Sequence, residues 1–199
     1  MKKQGKVFFV LLLSTLLSGC LSNVWTGAML VYDRHNVYKK VSDYTLSANV
    51  HHELFGPDRL LEQKGCAIDV AVFNGDILLA GHVPTLALRE AAIARVSKVT
   101  GYRRLFNQMD IANQESNSVI DSWITAKIRS RIFADSSINP NVFKVVTSDR
   151  IVYLMGDVTP DQAERVITIA RTTRGVVRVV KLLKYYHLSD NASLKHINS

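Results

Sequence analysis

Val70-Ala-Val-Phe-Asn-Gly-Asp-Ile-Leu-Leu-Ala-Gly-His-Val83 is matched later in the chain, without a gap, by Val145-Val-Thr-Ser-Asp-Arg-Ile-Val-Tyr-Leu-Met-Gly-Asp-Val158. Gly81 falls on Gly156, Leu79 on Leu154 and Val83 on Val158. Self-similarity of this kind marks a duplicated folding unit. Each copy reads as two short strands joined by a tight turn, and Asn74-Gly75 is the residue pair that favours a two-residue hairpin. In the second copy Phe143, Val145 and Thr147 should face one way, and Val142, Lys144 and Val146 the other.

Helical patterns flank both hairpins. Before the second lies Val119–Phe133, where Ile120, Ile124, Ile128 and Ile132 recur every fourth residue and so share one face. Before the first lies Val41–Phe55. A further helix starts near Pro84 in one copy and at Thr159-Pro160-Asp161 in the other, where Pro in the first turn costs little. Its apolar face is Ala91, Ala92, Val96 and Val99, or Ala163, Val166, Ile167 and Ala170. Gly101 and Gly175 suit the left-handed position that ends a helix. A last strand follows, Tyr102–Ile111 or Val176–Tyr186. The order is α-β-β-α-β twice. This predicts an α+β fold of two tandem domains, 41–113 and 119–187, each a three-stranded mixed sheet with two helices on one face. Asn113–Ser118 is the linker and 188–199 a flexible tail. Units of about 70 residues have small cores, so some packing of one against the other is expected. Gly81 and Gly156 are expected where a strand leaves the sheet and a helix passes close by.

The N-terminus carries a different signal. Lys2, Lys3 and Lys6 precede an apolar run from Val7 to Leu17 that ends in Leu17-Ser18-Gly19-Cys20. A basic start, a short hydrophobic stretch and small residues are the parts of a secretory signal peptide, here 1–19. The run is about half of the ~20 residues needed to span a bilayer. Its ending resembles the lipobox of bacterial lipoproteins, in which the Cys is acylated and becomes the first mature residue. That resemblance implies lipidation (palmitate among the acyl chains) at Cys20, followed by a linker over 20–40. In such lipoproteins an Asp after the Cys favours inner-membrane retention; Leu21 and Ser22 stand here, which implies an outer-membrane anchor facing the periplasm.

The formal net charge is +8, or +5 once Lys2, Lys3 and Lys6 leave with the signal segment. That balance favours anionic surfaces, and export argues against nucleic acid as the partner. With Cys20 committed to lipid, Cys66 has no partner within the chain. It opens the apolar run Cys66–Val72 and reads as a buried thiol, with an intermolecular disulfide as the lesser alternative. In the helix Val119–Phe133, Trp123, Lys127 and Arg131 form a second line beside the isoleucines, and Arg129 adds to the basic character. Two readings are open for this line. Trp123 could cover the rim of the core amid solvated charges, or the row could meet a membrane, indole at headgroup level and cations on phosphate.

The repeated order, together with Asp121-Ser-Trp-Ile-Thr-Ala-Lys-Ile-Arg129, Val152-Tyr-Leu-Met-Gly-Asp-Val158 and Asp33-Arg34, resembles the BON domain of bacterial periplasmic and outer-membrane proteins. The resemblance covers most of the mature chain. It implies a lipoprotein that recognises anionic phospholipids such as phosphatidylglycerol and cardiolipin, gathers at the division site and supports outer-membrane integrity. The implied lipid surface maps onto Trp123, Lys127, Ile128 and Arg129, and the basic row extends it to Arg131. Arg150 departs from the pattern, standing where the second hairpin is expected to carry Gly. The alternative is an interaction scaffold that docks envelope-assembly or cell-wall-remodelling proteins through the same surface. Nothing points to an enzyme. His51-His52-Glu53 lacks the i, i+4 spacing of a metal pair, and there is no Gly-rich phosphate loop, so neither metal nor cofactor is expected.

Overall fold

The structure is a computed structural model, and it describes residues 34–186, with side chains from 42 onward. The expected signal segment, Cys20 and the tail over 188–199 lie outside the described residues. The first repeat contains α1 (Arg34–Phe55), β1 (Ala67–Phe73), β2 (Asp76–Val83), α2 (Leu86–Val96) and β3 (Arg104–Ile111). The second contains α3 (Ser118–Ala134), β4 (Phe143–Ser148), β5 (Ile151–Val158), α4 (Pro160–Arg171) and β6 (Arg178–Tyr185). Helix α1 starts before the expected Val41, because no Pro or Gly between Arg34 and Phe55 breaks it.

Each hairpin pairs antiparallel, and its second strand pairs in parallel with the strand that follows the crossover helix. The two sheets have the orders β1-β2-β3 and β4-β5-β6. Both hairpins turn on two residues with positive φ, Asn74 (50°) with Gly75 (77°) and Asp149 (50°) with Arg150 (62°). This is the type I′ geometry that matches the twist of the strands. A carboxylate on the preceding helix clamps each turn. Asp43 accepts the N–H groups of Asn74 and Gly75 at 2.7 and 2.8 Å. Asp121 accepts those of Asp149 and Arg150 at 2.9 and 2.8 Å. Arg150 therefore holds a left-handed conformation that costs an L-residue about 1–2 kcal/mol, and the clamp offsets it.

Apolar residues sort into three cores. Leu46, Val50 and Leu54 of α1 meet Ile77, Leu79 and Val83 of β2 and Ala92 and Val96 of α2. Ile124, Ile128 and Ile132 of α3 meet Val152, Leu154 and Val158 of β5 and Val166 and Ala170 of α4. The third core lies between the domains, where Ala71, Leu78 and Ala80 of one sheet pack on Tyr153, Met155 and Leu182 of the other. The helices thus cover the outer face of each sheet, and the inner faces cover one another. Every residue of β2 is buried as a result, which explains its unbroken apolar run.

Several expectations need correction. Ile120 is 41% exposed and leaves the isoleucine seam, because residues four apart drift about 40° round a helix at each step. Gly81 and Gly156 sit inside β2 and β5 rather than at strand exits. Their close neighbour is the backbone of the adjoining chain, not a helix. A Cβ would stand 2.0 Å from the Ala67 carbonyl oxygen in one case and 2.3 Å from that of Val142 in the other. Gly101 and Gly175 do have positive φ. They lie in the turns into β3 and β6, however, while Ser97 and Thr172 end the helices.

Candidate functional site

Helix α3 starts at Asn117, whose side chain accepts the Ile120 N–H at 3.1 Å. Its buried stripe fixes which side chains point outward. Trp123 is 50% exposed, and the Lys127 ammonium lies over its ring, 4.1 Å from the centroid. That is a cation–π pair, with the lysine stem laid along apolar surface. The indole borders the turn before β6, where a Cβ on Gly175 would come 3.9 Å from Trp123 Cζ3 and 3.2 Å from Ile124 Cδ1. The Gly175 carbonyl in turn accepts from Arg150 Nε at 3.0 Å, and the Arg150 carbonyl accepts from Val177 N at 3.0 Å. Val119, Ile120 and Val177 are all exposed around this point. The result is an apolar patch from two elements, with Lys127 on it and the exposed Arg150 and Arg174 in the turns beside it.

The other residues singled out by sequence go elsewhere. Ile128 is fully buried in the second core, where it seats the helix and touches no solvent. Arg131 donates to the Ile169 carbonyl at 2.8 Å and to the Thr172 and Thr173 hydroxyls at 2.9 and 3.1 Å. It thereby caps the C-terminal end of α4 and satisfies a carbonyl the helix cannot. Arg129 lies on the opposite flank of α3, lining a cleft with Lys144. Only Trp123 and Lys127 of the five share the exposed patch. Val119, Ile120 and Val177 were missed; the first two had a signal in their place outside a three-isoleucine seam. Val177 had none, because it follows the Gly175 turn, which meets α3 only in the folded chain.

The model of the family described as "BON domain" matches residues 45–113 and 120–185. The chain belongs to the BON-domain family. It is 31% identical over 155 residues to the 21 kDa hemolysin of Actinobacillus pleuropneumoniae, covering 77% of this chain and 79% of that one. It is 29% identical over 175 residues to the outer membrane lipoprotein DolP of Haemophilus influenzae, covering 85% and 90%. It is 27% identical over 168 residues to osmotically-inducible protein Y of Escherichia coli K12, covering 82% of each.

The two BON domains differ at the patch. With the clamps Asp43 and Asp121 aligned, Ile124 and Ile128 match Leu46 and Val50, which are buried likewise. Trp123 and Lys127 then match Thr45 and Asn49, so the first domain has neither ring nor cation there. The domains also differ in charge. Residues 119–186 hold eleven Lys and Arg against six Asp and Glu, whereas 41–113 hold seven against eight. Between the domains, His82 is buried with Nδ1 2.6 Å from the Asp149 carboxylate and Nε2 3.0 Å from the Gln114 carbonyl. Asn74 Nδ2 donates to Asp157 at 3.2 Å, and Arg103 does so at 3.0 Å. His82 and Asp157 occupy matched positions in the repeat, as do Asn74 and Asp149, so the junction is an approximate two-fold.

His51 and His52 are exposed, and the His51 ring lies 5.8 Å from that of Phe55. Among the described residues no group of His, Cys, Asp and Glu is placed to hold a metal ion. Cys66 packs half-buried against the first core, and burial pushes its thiol pKa up, away from the thiolate that reactivity needs.

Proposed function

We propose that the chain is an outer-membrane lipoprotein on the periplasmic face, anchored by acyl chains on Cys20, whose second BON domain binds anionic phospholipids. In this role it supports envelope integrity, with the division site as the place where it gathers. The observation that carries the reading is the Trp123–Lys127 pair, half in solvent amid Val119, Ile120 and Val177 on the more basic of the two domains. Exposed aliphatic and aromatic groups beside cations match the interfacial zone of a bilayer, where indole and charged heads both find partners. The named relative DolP, an outer membrane lipoprotein, supports the location.

Two forces act on such a patch. Trp123 and its apolar neighbours contribute insertion of a few kcal/mol at most, since each is only partly covered. Lys127, Arg150 and Arg174 contribute about 1 kcal/mol each near an anionic surface, weakened by salt. Neither anchors a protein alone, but both bias where an acylated one dwells.

Flotation tests this with the chain from residue 21 onward, which keeps both domains but not Cys20. Phosphatidylglycerol or cardiolipin vesicles should carry it up with no other protein present, and phosphatidylcholine vesicles should not. Trp123→Ala should weaken binding at every salt concentration, whereas Lys127→Ala should mainly reduce the salt sensitivity. A folded Trp123→Ala protein with undiminished affinity would overturn the reading. In that case the patch would serve protein docking or cover the core.

A further inference from the structure

Strand β4 pairs only with β5, so its other edge leaves N–H and C=O groups without a backbone partner among the described residues. Strand β1, an edge of the first sheet, lies alongside but does not pair with it. The two meet where the Ser148 hydroxyl donates to Asp69 at 2.5 Å. A cleft of about 440 Å3 runs between these strands and the flank of α3 that carries Arg129. A second hollow of about 290 Å3 continues it past Arg129 and Lys144 to Phe73, Phe133 and Pro140. An unpaired strand edge beside a helix is the arrangement that accepts an added strand from another chain.

The side chains along this edge set what such a strand would meet. Phe143 and Val145 enter the second core, and Thr147 accepts from the Thr125 hydroxyl at 2.7 Å, so these three face α3. Lys144 and Val146 face the other way, where Val146 packs on the core between the sheets. Arg129 therefore stands on one side of the edge and Lys144 on the other. Both are exposed and have no hydrogen-bond or ion-pair partner among the described residues. Thr125 sits by Thr147, and Phe133 shares a hollow with Phe143, so α3 runs along the edge against the direction of β4. Phe133, 66% exposed, follows Arg129 by one turn. A strand advances about 6.6 Å over two residues and a helix about 6 Å over four. Residues two apart on an added strand thus match Arg129 and Phe133.

The nearby carboxylates are already engaged. Asp121 has one oxygen on each of the two turn N–H groups. Burial pushes the Asp69 carboxyl pKa up, against the pull of its bond from Ser148, so it opposes an incoming anion less than an open carboxylate would. Arg129 and Lys144 have no such counterpart. They are the unmet charge of the edge.

We propose that β4 accepts, as an added antiparallel strand, an extended segment of a partner protein that carries two adjacent acidic residues followed by an apolar one. Successive side chains of a strand point to opposite faces. The first carboxylate meets Arg129, the second meets Lys144, and the apolar residue returns to the helix side over Phe133. Main-chain bonds to β4 supply affinity, while the two cations and the phenyl ring select the sequence. The residues are not those of the Trp123 patch, so a bilayer and a protein can be held at once on two flanks of one helix.

The test uses the chain from residue 21 onward, without lipid, and the capped, fluorescein-labelled peptide Thr-Val-Glu-Glu-Leu-Thr, which has six residues as β4 has. Fluorescence anisotropy should show saturable binding at one site. Arg129→Ser with Lys144→Ser should weaken it about tenfold, the worth of two exposed ion pairs. Ala126→Trp should block it, since Ala126 is an exposed helix position that lines the cleft. Trp123→Ala should leave it unchanged, and melting curves check that each variant folds. Peptides with Lys-Lys in place of Glu-Glu, or with Pro on both sides of the acidic pair, should not bind. Equal affinity for the Pro peptide would rule out strand addition and overturn the proposal. So would the absence of binding by the acidic peptide, or its retention in a folded Ala126→Trp protein. A double variant that kept the peptide but no longer floated on phosphatidylglycerol vesicles would assign both cations to the membrane, and the proposal would fall. The lipid reading fails separately, through Trp123→Ala in flotation.

Discussion

Single side chains at the domain junction carry charge that the fold has buried, and Asp76 is the clearest case. It is 1% exposed and accepts from Arg103 at 2.6 and 2.8 Å and from Arg104 at 3.0 Å. Burial alone would push its carboxyl up, but the two guanidinium groups hold it below the ordinary 3.8. A depressed folded value means that this stability is complete above pH 3.8 and is lost as pH falls through the folded pKa. Asp76→Asn should cost about 1–3 kcal/mol at neutral pH, less than a wholly buried pair because both arginines are partly solvated. Urea melts at falling pH check this, since the gap between wild type and variant should close in acid. A gap independent of pH would mean that Asp76 serves as a neutral spacer.

Among the elements, the hairpins and their helices explain what was readable in the chain and what was not. The duplicated strands announced themselves through gapless similarity, and α3 through its isoleucines, because both patterns are local. The clamp was not readable. Asp121 looks like an ordinary acidic residue near a helix start, and only the folded chain brings it to the Asp149–Arg150 turn. The same limit applies to Gly81 and Gly156, whose reason is a backbone carbonyl opposite them, of Ala67 in β1 and of Val142 just before β4, and to Arg131, which caps a helix far along the sequence. For the candidate site, sequence found the Trp123–Lys127 pair but merged two flanks of one helix by placing Arg129 with it. The clamp is testable as an element. Asp121→Ala leaves two turn N–H groups without their charged acceptor and exposes the strain at Arg150, so it should destabilise by about 2–3 kcal/mol. Asp121→Ala combined with Arg150→Gly should recover about 1 kcal/mol. If the second change recovers nothing, the strain assigned to Arg150 is not there.

At the scale of the whole molecule, the question is whether two BON domains behave as two bodies. Small α-β-β-α-β units have little core of their own, and here each sheet buries its second face only against the other. The small size of the units pointed to packing between them but not to which faces meet, because alternation along β2 is hidden when both faces are covered. Leu78 is fully buried and faces the partner domain, packed with Ala80, Tyr153 and Met155 and absent from the helix-side core. Leu78→Ala should therefore cost about 2–5 kcal/mol, the range for a buried leucine, and the loss should fall on both domains. Trp123 reports the second domain by fluorescence once Trp25 is replaced by Phe. Its unfolding midpoint should drop in step with that of overall helix content, although the substitution lies in the first domain. If Trp123 kept its midpoint while helix content fell in two steps, the domains would fold independently, and the inner faces would be a contact rather than a shared core.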